Sequence, residues 1–247
     1  MAEEESEKFT GDAINEYILE IRYKPNPKIL DHRGRWGETL SKITELPHWR
    51  ISEIRIDVHD HEKDPEKAME RCFISYKNAG YVVRNCSSGN AFYKKYLKLH
   101  QFIFSNEDVF GKDLLLHRIG VKIKIGTKFD GTFDEILKIY SENYLVPNEK
   151  LSTVFDADIA DIGGYVTFRT KDDVDIQSMS GPMEEEQIKQ FFPFVEDPPN
   201  PIFYFEIDSS IKPNEELNGK RIEKIIGDLI RLDWSTNNKV IKMLLGE

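Results

Sequence analysis

The strongest constraint on this chain is a strand with one apolar and one polar face. Ile119, Val121, Ile123 and Ile125 alternate with Gly120, Lys122 and Lys124, a period of two that puts the large aliphatic side chains on one side of an extended backbone. Nearer the amino terminus Tyr17, Leu19, Ile21 and Tyr23 alternate with Glu20 and Arg22, although Ile18 falls on the polar side. A stretch of helical spacing follows each strand. After the first, Trp36, Thr39, Leu40 and Ile43 recur behind an Asp31 cap and end before Pro47; after the second come Phe133, Ile136, Leu137, Tyr140 and Tyr144. Thr132 and Glu135 have the spacing of a capping box. One-sided strands need a cover, and these helices are placed to supply it.

The remaining pattern extends the same theme. Ile54, Ile56 and Val58 define the inner face of a further strand, with Arg55, Asp57 and His59 outside; Phe92, Tyr96, Leu99 and Ile103 form a helical stripe. Strands are predicted over Leu151 to Asp158, Tyr165 to Thr170 and Val174 to Met179, the last two turning at Lys171 to Asp173. A short helix over Glu184 to Phe192 precedes a strand from Ile202 to Ile207. Ile222, Ile225, Ile226 and Leu229 mark a final helix, with a break at Trp234 to Asn238 before a shorter closing one.

The expected fold class is therefore α+β, mainly antiparallel sheets with helices on one side. The order β-α-β-β-β-α in residues 13–110 is begun again in 111–247, so the single domain at 13–247 reads either as two fused halves or as a generic α+β fold that imitates a repeat. Strands outnumber crossover helices, which disfavours a doubly wound parallel sheet. Residues 1–12 are acidic with little to bury and are expected to be a disordered tail. A length of 247 residues with 39% hydrophobic content suffices for such a core.

Asp and Glu number 44 against 34 Lys and Arg, for a net charge of -10, which argues against a general polyanion binder and against nucleic acid as partner. A protein or small-molecule ligand is expected instead, and the exposed edges of antiparallel strands would allow a homodimer. No apolar run approaches the roughly 20 residues needed to cross a bilayer, and no signal sequence is evident, so a cytoplasmic location without membrane contact is expected. Cys72 and Cys86 alone fit a reducing compartment. A hairpin over Arg71 to Ser87, turning at Asn78-Ala79-Gly80 with Gly80 at positive φ, would set Cys72 opposite Cys86; a turn at Ala79-Gly80 alone would set Cys72 opposite Ser87.

The sharpest chemical grouping is Asp57-Val58-His59-Asp60-His61, because alternation would place Asp57, His59 and His61 on one face as ligands for zinc or manganese. That supports an alternative reading as a metal-dependent hydrolase or nuclease, joined by a carboxylate from Asp156, Asp158 or Asp161. The companion motifs of phosphoesterases and metallo-lactamases are missing, and a solvated strand face explains the same residues. Tyr93 to His100 is basic and aromatic but shares the helical stripe; Glu206 and Asp208 alternate as an acid pair would; Phe191 to Phe205 would serve a core or a contact surface. Phosphate loops and nucleophile elbows are absent from the sequence. The expected role is thus a non-catalytic binding or regulatory protein acting through a surface or groove, with no cofactor.

The segment Glu16 to Tyr23, the central Leu116 to Lys122, the late Phe205-Glu206-Ile207-Asp208 and the carboxyl-terminal helix pair together resemble a family of sporadically distributed prokaryotic proteins of unknown function. The resemblance covers most of the chain. It implies no catalytic residue that could be carried over to a position here.

Overall fold

The structure, a computed structural model, describes residues 9–144 and 160–244. β1 (Phe9–Tyr23) leads through the short α1 (Lys28–Asp31) into α2 (Arg33–Thr44), and β2 (His48–Ile51), β3 (Arg55–His59), β4 (Glu70–Ser75) and β5 (Asn78–Arg84) follow before α3 (Gly89–Ser105) and α4 (Glu107–Phe110). The remainder comprises β6 (Asp113–Phe129), α5 (Phe133–Tyr144), β7 (Gly164–Arg169), β8 (Asp175–Met183), α6 (Glu185–Phe191), β9 (Ile202–Ile211), β10 (Glu215–Asn218) and α7 (Gly219–Leu244). The fold is α+β.

All described strands join one antiparallel sheet in the order β2-β3-β4-β5-β1-β6-β9-β8-β7, and β10 pairs with β6 beyond the point where β9 leaves it. The two long alternating strands lie side by side at its centre, with Tyr17 opposite Ile123 and Leu19 opposite Val121. On each side the chain leaves the centre through a helix and returns strand by strand from the edge. The strands of residues 13–110 and those of 111–247 are thus joined edge to edge through the β1–β6 pairing.

Alternation decides the two faces. Tyr17, Leu19 and Ile21 on β1 and Ile119, Val121 and Ile123 on β6 turn toward α2, α3, α5 and α7, where Trp36, Leu40, Phe92, Tyr96, Leu99 and Ile136 complete the main core. The α3 stripe is fully buried at Phe92, Tyr96, Leu99 and Ile103. The Thr132–Glu135 capping box is present: the Thr132 amide donates to Glu135 Oε2 at 2.8 Å, and the Glu135 amide to Thr132 Oγ1 at 3.3 Å. One helix breaks the one-sided arrangement. Ile188 of α6 and the following Phe192 pack on Ile14, Ile202 and Tyr204, forming a second, smaller core on the opposite face.

Several local expectations are corrected. The β4–β5 turn falls at Ser75 to Asn78 because the Ser75 hydroxyl accepts the Lys77 and Asn78 amides at 3.2 and 3.1 Å. Cys72 therefore pairs with Tyr81, and Cys86 lies past the strand; both cysteines are free and buried. Gly80 sits inside β5, where a Cβ would collide with the Leu19 carbonyl oxygen and the Phe73 ring. Asp31 ends α1, and α2 starts from His32 without a side-chain cap. Ile54 precedes β3 and is exposed. β1 begins at Phe9, inside the stretch read as a tail, and pairs there with Phe129. α7 runs unbroken through Trp234 to Asn238, where the Trp234 ring stacks on Tyr17 at 5.8 Å. The expected strand at Leu151 to Asp158 lies outside the described residues.

Candidate functional site

The face opposite the main core carries the even-numbered residues of β1: Ile14, Glu16, Ile18, Glu20 and Arg22. Register sets each between partners on β5 and β6. Glu16 lies opposite both Arg84 and Lys124, accepting from Arg84 Nε at 2.7 Å and from Lys124 Nζ at 2.8 Å. Arg84 also donates to the Glu66 and Ala68 carbonyls and lies 4.6 Å from the centre of the Phe194 ring. Glu16 and Arg84 side chains are each only 6% exposed. Burial pushes the Glu16 carboxyl up, but Lys124 and Arg84 together outweigh it and hold the group below the usual carboxylate range.

A second run of charges crosses β1, β6 and β9. Glu20 pairs with Arg22 at 2.7 Å, accepts from Asn78 Nδ2 at 2.6 Å and has Arg118 at 3.6 Å. Arg118 donates to Asp208 at 2.6 Å, and Lys122 reaches Glu206 at 2.7 Å and Asp208 at 3.9 Å. Burial keeps Asp208 above the ordinary carboxylate value despite Arg118 and Lys122. Gly120 lies beneath this network, and the Arg118 guanidinium rests where a Cβ would stand, so a larger residue there would shift the arginine. Farther out, Arg55 pairs with Asp57 at 2.6 Å and lies 3.9 Å from the centre of the Phe73 ring.

Between these runs lies an open groove of about 550 Å³, within the usual size range of small-molecule sites. One row of cross-strand neighbours forms its floor: Arg71 on β4, Val82 on β5, Ile18 on β1 and Lys122 on β6. Val82 is buried and Ile18 half-buried, so an apolar strip separates two cations. Gln190, Phe191 and Pro193 wall one side. Seven Lys and Arg line the groove against four Asp and Glu; Asp57 and Glu206 pair with lining cations from its margin.

The structure separates the proposed metal ligands. Asp57 is held by Arg55, whereas His59 is 3% exposed, with no hydrogen-bond partner at Nδ1 among the described residues and its ring 6.1 Å from that of His48. Burial lowers the His59 pKa. β3 ends at His59, so alternation does not extend to His61, whose Nδ1 accepts the Lys63 and Asp64 amides at 3.3 and 3.0 Å in the following loop. Among the described residues no group of three or more His, Cys, Asp or Glu is placed to hold a metal ion. Asp161 accepts from Gln187 at 2.9 Å, while Asp156 and Asp158 lie outside the described residues. On α3, Lys95 pairs with Glu70 and Lys98 with Glu45, which ties two of its lysines into the fold. Phe192 and Tyr204 enter the smaller core.

The sequence pattern marks Glu206 and Asp208 as an alternating acid pair, but nothing in it points to Arg71, Val82, Arg118 or Lys122 as site residues. Two signals were nevertheless present: Ile18 on the polar side of β1, and Gly120 within the most regular strand. Both mark places where the open face is not a plain solvated surface. No protein-family model matches the chain, and no curated protein matches it. Among the described residues no helix is long and apolar enough to cross a membrane.

Proposed function

We propose that this chain is a cytoplasmic recognition protein that holds its ligand in the groove on the uncovered sheet face, without chemistry of its own. One observation carries the reading: the half-buried Ile18, beside the buried Val82, gives the groove an apolar floor within a network of largely desolvated charges. Burying ion pairs costs desolvation energy that their attraction repays only in part, so such a network is weak evidence for stability. It does present donors already fixed in direction, which is what a specific ligand needs. The resemblance to sporadically distributed prokaryotic proteins adds no residue role, so the reading rests on geometry.

A thermal-shift screen of a chemically mixed metabolite set tests it. A ligand at 100 times its dissociation constant should stabilise the wild type by about 2.7 kcal/mol and should fail to stabilise Ile18→Glu. Equal stabilisation of both proteins by every hit would place binding elsewhere and overturn the assignment.

A further inference from the structure

The proposed binding groove has unequal hydrogen-bonding capacity on its two kinds of charge. Its inner carboxylates are already served: Glu16 by Arg84 and Lys124, Glu20 by Arg22 and Asn78, and Asp208 by Arg118 with Lys122 nearby. A cationic ligand would have to displace these partners. The cations retain more capacity, because a guanidinium carries five N–H donors in a fixed fork. Arg71 pairs through Nη1 with Glu66; its Nε–H has no acceptor among the described residues but is itself buried, so the donors it can offer a ligand are those on its Nη atoms. The Glu66 side chain is 73% exposed, and an exposed pair of this kind contributes little. Lys122, at the other end of the row, is 30% exposed and more open than Glu206 and Asp208 beside it.

Val82 and Ile18 occupy the two strands between Arg71 and Lys122. Three strand spacings put the two cation backbones about 14 Å apart; at one end the Lys122 ammonium rests against Glu206 and Asp208 of β9, and at the other the Arg71 guanidinium rests against Glu66. Resting on the groove reading above, we infer that the ligand is a small organic anion with a flat apolar body and an acid at each end: the body lies on Ile18 and Val82, and the acids meet Arg71 and Lys122. A polymeric anion fits less well. The groove's cations are largely paired within the protein, leaving few phosphates to neutralise and few counterions to release, and the chain's net charge of -10 opposes a long polyanion.

The probes are naphthalene-2,6-dicarboxylate, its neutral dimethyl ester and the diamine built on the same ring, titrated calorimetrically into the full chain. The diacid should bind one to one and more tightly than either analogue. Arg71→Gln and Lys122→Gln should each weaken it about tenfold to a hundredfold, the scale of one charge-assisted hydrogen bond, whereas Lys94→Gln on α3 should leave it unchanged. Ile18→Ser, at an outward position, should also weaken the diacid and keeps the test decisive if Arg71→Gln fails to fold. If the ester or diamine binds as tightly as the diacid and Ile18→Ser weakens it, the anion inference falls while the groove reading stands. Failure of the diacid to bind, or binding indifferent to all three groove substitutions, overturns the inference; if none of the three ring compounds binds, the groove reading also loses its support.

Discussion

The two faces of this sheet are built from the same strands yet meet opposite demands. On the helix side, Tyr17, Leu19 and Ile21 disappear beneath aromatic and aliphatic side chains of α2, α3 and α7, and removal of that surface from water drives folding. On the other side, Glu16, Ile18, Glu20 and Arg22 face a groove where charge meets charge and little apolar area is covered. Each face also holds a buried carboxyl. Glu16 on the groove side has two cationic partners. Asp233 of α7 is fully buried on the helix side, and among the described residues neither oxygen has a hydrogen-bond partner; the Ser209 hydroxyl exerts a lowering influence without meeting hydrogen-bond geometry, and burial pushes the carboxyl well above its usual range. The groove side thus has a charge kept ionised by its neighbours, while the helix side has one driven toward its neutral form.

Substitutions can break that contrast. The largest effect is expected from Arg84→Met, which leaves Glu16 buried with Lys124 alone: urea denaturation should show a loss of about 3–5 kcal/mol, as for one partner removed from a buried pair. A loss below about 1 kcal/mol would make the open face an ordinary solvated surface. Asp233→Leu should go the other way, stabilising by about 1–3 kcal/mol because it removes a buried group with no bonding partner among the described residues. Its gain should be greater at pH 7 than at pH 3.5. A carboxyl whose folded pKa lies above its unfolded value binds an extra proton in the folded state, so its contribution to stability falls as pH rises from 3.8 toward the folded value. A gain independent of pH would show that Asp233 is not the titrating group.

The smallest expected signal is the acid slope at Glu16. Its folded pKa lies below the ordinary 4.5, so its stabilising contribution is fully present above that pH and is lost as pH falls through the lowered folded value. Denaturation curves between pH 5 and 2 should lose this part of the slope in Glu16→Gln; an unchanged slope would mean that other carboxylates dominate.

Much of the secondary structure was legible where local rules act alone. Period-two alternation identified β1 and β6, helical spacing found α3, and the Thr132–Glu135 spacing located the start of α5. Turn composition served well at Lys171 to Asp173, where Asp173 takes the positive φ, but misled at Gly80, which provides room for the Phe73 ring and the Leu19 carbonyl within a strand. The polar run Trp234 to Asn238 suggested a break because its propensity is weak, yet α7 continues past the Trp234 ring stacked on Tyr17. β2 and β10, of four residues each, are too short to show a period. The face expected to be shared by Asp57, His59 and His61 stops at His59, because alternation holds only while the chain remains a strand.

The sequence by itself determined which side chains of each strand share a face, because that follows from backbone geometry within a few residues. Tertiary structure decided which faces meet. Glu16 finds Arg84 68 positions away and Lys124 108 positions away, and the strip from Arg71 to Lys122 exists only because β4, β5, β1 and β6 lie side by side in one register. A slip of one residue in any of these pairings would turn a strand's groove side chains toward the helices. Burial of the core face therefore selects the register that also assembles the groove.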